Sequence, residues 1–368
     1  MPAQQSIFIT GATGFLGRET LTRLLAADPR LRAFVLVRDV GRWSQVERER
    51  GHGRVIPVQG DLCTDGLGLP PDVRARIANE VTTIVHLAAN TTFSSPLDHA
   101  RAVNTLGTRH VLEIAGDCAS AAHVAYVSTA FVAGRRTGVI AEDGHSASAG
   151  WVNAYEQSKY EAEQLVKEHA SSWVILRPST VVCDDVGGQV TQMNAVHRAL
   201  NLYRQGLVAM MPGVTGSTVD AVTTSYVADG IALLALRDDA VGKTVHLCAG
   251  EGALRLDELL DITYARWATD PVWRNRGIVR PAITDLPTYA LFERTIEEIA
   301  DASLKRIARA LSHFVPQLAL PKVFDTTNAE ALLGRTAPPV RDFWLPMLDH
   351  MLATQSAASS ASSLARVA

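Results

Sequence analysis

Two residues four apart are able to carry proton chemistry. Tyr155 and Lys159, in the run Tyr155-Glu156-Gln157-Ser158-Lys159, share one face if that segment is helical. A phenol with its ordinary pKa near ~10 is a poor acid–base catalyst at neutral pH. A neighbouring ammonium favours the phenolate and is expected to lower that pKa. Upstream, the run Tyr126-Val127-Ser128-Thr129-Ala130 brings two hydroxyls. Either Thr129 or Ser128 could hold a substrate carbonyl beside the phenol, with the proton coming from Tyr155 and a hydride from a cofactor. Lys159 would also donate to ribose hydroxyls of that cofactor. Lysine is scarce in the chain, with five in 368 residues, so this pairing is an unlikely accident.

Something must bring a hydride donor to that phenol, and the N-terminus supplies the place. Ile7-Phe8-Ile9 reads as a buried strand, Gly11, Gly14 and Gly17 follow at G-x-x-G-x-x-G spacing, and Leu21, Leu24 and Leu25 then recur at helical spacing. Strand, glycine turn and helix in that order let the backbone approach a pyrophosphate, and the helix N-terminus offers it free N–H groups.

Strands and helices alternate through the first half. Strands are expected at 33–37, 54–58, 83–87, 124–128 and 173–176, with a last one at 244–248. Helices are expected near 42–50, 72–80, 97–118 and 152–170. Short apolar strands between amphipathic helices imply α/β architecture, a doubly wound parallel sheet covered on both faces. Ligands of such sheets sit beyond the strand C-termini, so the residues there are candidates. Arg38 follows the second strand, where an arginine pairs with the 2′-phosphate of NADP; Arg18 and Arg42 add charge nearby, and Asp39 keeps an NAD reading open. Gly60-Asp61-Leu62 follows the third, and Asp61 suits either an adenine amino group or a turn. His86-Leu87-Ala88-Ala89 closes the fourth; Ala88 and Ala89 allow close backbone approach, and His86 reads as a packed strand histidine. Asn104, inside a long helix, costs helix propensity and implies a hydrogen-bonding task or a kink.

A formal charge of −3, 47% hydrophobic and 20% charged residues describe a globular chain with no electrostatic case for nucleic acid. Cys63, Cys118, Cys183 and Cys248 are widely spaced, which suggests a reducing compartment and no metal site. The polar start lacks signal-peptide character, and no apolar run reaches membrane-spanning length. A cytoplasmic location is expected.

With those residues in place, the chain resembles the extended short-chain dehydrogenase/reductase family over about residues 6–250. The resemblance rests on Thr10–Gly17, Gly60-Asp61-Leu62, His86–Ala89, Asn104, Ser128-Thr129, Tyr155 with Lys159, and Arg177-Pro178-Ser179-Thr180. It implies a Rossmann sheet with NADPH bound by Thr10, Gly11, Thr13, Gly14, Phe15, Leu16, Arg18, Arg38, Asp61, Leu62, Leu87, Ala88, Ala89, Asn104 and Ser128. Pro178, Ser179, Thr180 and Val181 would contact the nicotinamide. Tyr155 is then the acid–base residue, Lys159 its activator, and Thr129, counted back from Gly134, the catalytic hydroxyl.

Ala88–Phe93, Val127–Gly134 and Tyr155–Glu163 are also similar to the branch that reduces acyl thioesters: fatty acyl reductases, carboxylic acid reductase domains and the terminal reductases of peptide and polyketide synthetases. Residues 320–328 are similar to the tail of fatty acyl reductases. That likeness implies a substrate on coenzyme A or a carrier protein, reduced to aldehyde or alcohol. Other readings are a ketone or alcohol oxidoreductase, a nucleotide-sugar epimerase or dehydratase, and a non-catalytic NADP sensor.

Past residue 180 the alternation breaks down. Residues 1–184 are expected to form the dinucleotide domain, with 217–250 returning to it. Residues 185–216, including a helical run 191–206, and 251–354 are expected to form a smaller, mainly helical substrate-binding lobe. Leu291, Ile296, Ile299, Leu304, Ile307 and Leu311 suggest an apolar face there, for a pocket cap, a homodimer or peripheral membrane contact. Residues 355–368, small and repetitive, are expected to be a disordered tail.

Overall fold

The computed structural model describes residues 5–43, 53–120, 122–144, 147–299, 302, 305, 308, 309 and 312–364. Seven strands form one sheet: β1 (Ser6–Thr10), β2 (Arg32–Val37), β3 (Val55–Gln59), β4 (Val81–His86), β5 (His123–Val127), β6 (Trp173–Pro178) and β7 (Thr244–Leu247). They lie in the order β3-β2-β1-β4-β5-β6-β7, and every neighbouring pair is parallel. The order reverses between β1 and β4, which opens a crevice at the strand C-termini.

Alternation along each strand assigns side chains to two layers. Ile7, Ile9, Val35 and Val85 pack on one face with α1 (Phe15–Ala27) and a later helix, Thr224–Leu234. Phe8, Phe34, Leu36 and Ile84 pack on the other against α2 (Pro71–Glu80), α3 (residues 97–117) and α4 (Ala154–His169). Leu24 of α1 and Val166 of α4 are both fully buried, each contributing about 1.5–3 kcal/mol from area removed from water.

α3 is not uniform. Leu97–Arg101 and Gly107–Asp117 are α-helical, and a π-helical turn, Ala102–Leu106, joins them. Asn104 sits inside that turn. Of the helix expected near 42–50, only the start is described: a 3₁₀ turn, Val40–Arg42, capped by the Asp39 side chain. Residues 44–52 lie outside the described residues.

The second half adds helices Ala195–Arg204, Leu256–Trp267, Leu286–Ile299, Thr327–Leu333 and Val340–Leu364. Short strand pairs tie these to the sheet domain, among them 138–140 with 322–324. The helical run expected at 191–206 begins only at Ala195, where Asn194 and His197 form a reciprocal cap. On Leu286–Ile299 the buried residue is Tyr289, whereas Leu291 is 60% exposed; Leu304, Ile307 and Leu311 lie outside the described residues. The last helix reaches Leu364, so most of the stretch expected as a disordered tail is helical backbone. No helix among the described residues is long and apolar enough to cross a membrane.

One ion pair crosses the core. Arg177 of β6 donates from Nε and Nη2 to the two carboxylate oxygens of Glu163 on α4, at 2.8 and 2.6 Å, and from Nη1 to the Glu142 carbonyl at 2.9 Å. Both side chains are essentially inaccessible. Removing one partner of such a pair strands a buried charge. Arg177→Met is therefore expected to cost about 3–5 kcal/mol, read as a lowered urea midpoint. The double variant Glu163→Met/Arg177→Met should recover most of that loss.

Candidate active site

The glycine turn is built by close approach. Gly11 has φ +76°, and a Cβ there would stand 2.6 Å from the Ala88 amide nitrogen. A Cβ on Gly17 would stand 2.1 Å from the Gly11 carbonyl oxygen. Neither position admits a side chain, so the start of α1, the turn and the loop after β4 share one crowded floor. Thr10 reinforces it: its Oγ1 accepts the Ala88 N–H at 3.3 Å and pairs with His86 Nδ1 at 2.6 Å. His86 is buried, with its other ring nitrogen 3.1 Å from Thr108 Oγ1. Burial, aided by the charge of Lys159, pulls its pKa down to about 3. It is a neutral joint between β1, β4 and α3.

Above this floor lies a cavity of about 770 Å³, within the range of small-molecule and cofactor sites. Most residues singled out from the sequence line it: Gly11, Thr13, Gly14, Phe15, Leu16, Arg38, Asp61, Leu62, Leu87, Ala88, Ala89, Ser128, Thr129, Tyr155, Lys159, Pro178, Ser179 and Val181. Thr10, Arg18, Asn104 and Thr180 do not. Thr10 and Asn104 instead hold residues that do. Lining residues not singled out include Cys63, His99, Val103, Thr191, Gln192 and Asn194. Thr191 to Asn194 belong to the segment entering the helix Ala195–Arg204, and no motif marks them. The floor without Cβ atoms, and a helix N-terminus facing the cavity, fit the pyrophosphate of a dinucleotide.

At the strand-two end the two candidate residues separate. Asp39 Oδ1 accepts the amides of Gly41 and Arg42 at 2.8 and 3.3 Å, so its carboxylate caps a turn. Arg38 is exposed and lines the cavity. Asp61 accepts the Cys63 amide at 2.8 Å, as a turn aspartate does, and it also lines the cavity.

At the opposite end stand the reactive groups. Asn153 caps α4, its side chain accepting the Glu156 N–H at 3.1 Å, which places Tyr155 in the first turn. Tyr155 is 8% exposed. Its phenol is hydrogen-bonded with the Thr129 side chain, and burial nevertheless pushes its pKa up to about 12. The expected lowering by Lys159 is thus reversed. Burial is the main cause; the Lys159 ammonium is engaged elsewhere, its Nζ donating to the Val127 carbonyl at 2.7 Å and lying 4.1 Å over the Tyr126 ring. Burial brings Lys159 down to about 7, opposed by the charge of Glu163. A phenol with a high pKa keeps its proton at neutral pH. The phenolate left behind would be stabilised by the Thr129 hydroxyl and the positive end of α4.

Asn104 explains the π turn. Its Oδ1 accepts the Asn90 N–H at 2.8 Å, and its Nδ2 donates to the Asn90 carbonyl at 3.0 Å and to Ser158 Oγ at 2.9 Å. One side chain therefore pins the cavity-lining loop after β4 to the helix that carries Tyr155 and Lys159. Arg101 adds a two-pronged pair with Glu161 at 2.6–2.8 Å.

A pH dependence follows. If the Lys159 charge assists proton release, the free enzyme loses that assistance as pH rises through about 7. The kcat/KM for the dinucleotide, which reports the free enzyme, should fall above that pH. The limb should vanish, at a lower rate, in Lys159→Met.

Three comparisons place this site among known proteins. The family described as Male sterility protein matches residues 9–231. A putative fatty acyl-CoA reductase of Drosophila melanogaster is 28% identical over 274 residues, 61% of this chain and 50% of that protein. A probable fatty acyl-CoA reductase of Arabidopsis thaliana is 22% identical over 376 residues, 78% and 76% of the two. This chain thus spans half the length of the first and about three-quarters of the second. Among solved structures, the terminal R domain from the myxalamid PKS-NRPS biosynthetic pathway superposes with a TM-score of 0.77 at 26% identity, covering 96% of this chain and 92% of that one. The matched region includes the dinucleotide cavity, Thr129, Tyr155 and Lys159, and the chain belongs to the Male sterility protein family.

Proposed function

We propose that the protein is an NADPH-dependent reductase of acyl thioesters carried on coenzyme A or a carrier protein. The observation that carries this reading is the convergence of Thr129, Tyr155 and Lys159 at the end of a glycine-floored cavity. Relatives named as fatty acyl-CoA reductases support a thioester over a plain ketone.

The residues divide the work. Gly11, Gly14 and the N-terminus of α1 would hold the pyrophosphate, and Arg38 the 2′-phosphate. When bound, the dinucleotide supplies a hydride. Tyr155 and Thr129 meet the carbonyl oxygen, and Tyr155 passes its proton to that oxygen as negative charge develops. The product of this step is a thiohemiacetal. Breaking its C–S bond returns the thiol and leaves the aldehyde. Lys159 stays beneath, fixed by the Val127 carbonyl, where its charge favours the phenolate formed as Tyr155 gives up its proton; solvent then returns the proton. Burial keeps water from competing for the proton.

Two variants test this. Tyr155→Phe should bind NADPH normally and lose about 10²–10⁴-fold in turnover of acyl-CoA substrates, measured by NADPH consumption. Turnover of ketones but of no thioester by the wild type would overturn the substrate class. Arg38→Ala should raise the Kd for NADPH by about 10–100-fold, the worth of a hydrogen bond to a charged group, and leave that for NADH unchanged. An equal loss for both nucleotides would remove Arg38 from phosphate recognition.

A further inference from the structure

Tyr155 and Thr129 line the cavity, and three phenyl rings outside that lining gather beside them. The Phe93 ring lies 5.4 Å from the Tyr155 ring. Phe314 stacks on Phe93 at 6.0 Å with planes 5° apart, and Phe131 meets Phe93 edge-on at 6.4 Å. Phe131 is also the residue whose amide donates to Thr129 Oγ1, at 3.3 Å. Three stretches far apart in sequence thus bring three phenyl rings to the two reactive hydroxyls. None is needed to hold a dinucleotide. Phe93 and Phe131 are only half-buried, so they keep apolar surface outside the core.

Phe314 is held in place with unusual care. The carbonyl of His313 accepts Asn153 Nδ2 at 3.2 Å. Gln317 Nε2 donates to Glu156 Oε1 at 2.6 Å. Lys322 Nζ donates to Gln317 Oε1 at 2.5 Å and to the Gly134 carbonyl at 2.6 Å. The C-terminal segment is therefore clamped to the first turn of α4, near Tyr155 in sequence on both sides. The distance from the Phe314 ring to the phenol is set by the same bonds that orient the phenol.

We propose that Phe93, Phe131 and Phe314 form the wall against which the apolar group of the substrate carbonyl packs, and that they select substrates by its length and bulk. The inference rests on the reading of Tyr155 and Thr129 as the groups that meet that carbonyl. A carbonyl carbon held there has one substituent directed at the rings and one at the polar side of the cavity, lined by Asn90, Thr91 and Gln192. The hydrocarbon arm matches the rings, and the thiol carrier, with its amides, matches the polar side. Each methylene laid on the wall leaves water.

Binding of n-alkanols from butanol to dodecanol, measured by calorimetry with NADP⁺ present, reads the wall without turnover. Wild-type affinity should rise with each methylene and level off at one definite length. Phe93→Ala and Phe314→Ala should move that length upward and raise the preference for branched over straight alcohols by about tenfold, the scale of one methylene in an apolar pocket. Melting temperature and NADP⁺ affinity check that each variant is folded. If Phe314→Ala does not fold, Phe93→Leu and Phe131→Leu, at the half-buried rings, carry the same comparison. A wild type indifferent to length, or variants that lose affinity for every alkanol by one common factor, would overturn the proposal. Intact length dependence with no turnover of acyl-CoA would refute the thioester reading alone.

Discussion

The structure depends on how α4 carries charge into a dry interior. Glu156, Lys159 and Glu163 on that helix are each at most 2% exposed. An ion moved from water into such surroundings costs several kcal/mol unless it is paired and hydrogen-bonded. Each of the three has a dedicated answer. Arg177 meets Glu163 with two bonds, the Val127 carbonyl and the face of Tyr126 meet Lys159, and Gln317 with the Val152 amide meets Glu156. Desolvation is felt all the same. It raises Glu156 to about 7 and lowers Lys159 to about 7. Two pKa values near neutrality on one helix result from where that helix is placed.

That demand reaches across the chain. Glu142, also buried, accepts the amides of His246 and Asn328 at 2.8 and 2.7 Å, so β7 and the C-terminal segment close around β6. Residues 315–328 look in sequence like a remote tail. In space they supply polar partners of α4. The lobe therefore completes the polar environment of α4, because the first turn of that helix would be left with unsatisfied groups without it.

The sheet was legible because parallel strands buried on both faces must be short, apolar and regularly spaced, and all seven fall within a few residues of where Ile7–Ile9, Val124–Val127 and their like predict them. The glycine turn was legible because close backbone approach permits no other residue. Asn104 announced itself as a misfit in a helix, and it is both kink and hydrogen-bonding centre. The acidity of Tyr155 was not legible. Spacing places Lys159 on its face of the helix, but only the fold shows the Lys159 ammonium donating to the Val127 carbonyl. Nor was the role of Gln317, Lys322 or Phe314, since contacts between residues 160 or more apart leave no local pattern. What meets Leu291 was not legible either: helical periodicity finds an apolar face but cannot say whether anything covers it.

The π turn at Ala102–Leu106 has a consequence for how this chain tolerates changes in length. A π turn holds one residue more than the regular ladder, so the two halves of α3 are set at a fixed offset in rotation. Deleting a residue there would restore regular helix bonding. It would also swing one half by about 100° relative to the other, carrying Asn104 away from Asn90 and Ser158 or turning Gly107 and Thr108 away from Leu62 and His86. Insertions and deletions in α3 are thus confined to its outer ends, and the misfit residue acts as a phase marker between cofactor loop and catalytic helix.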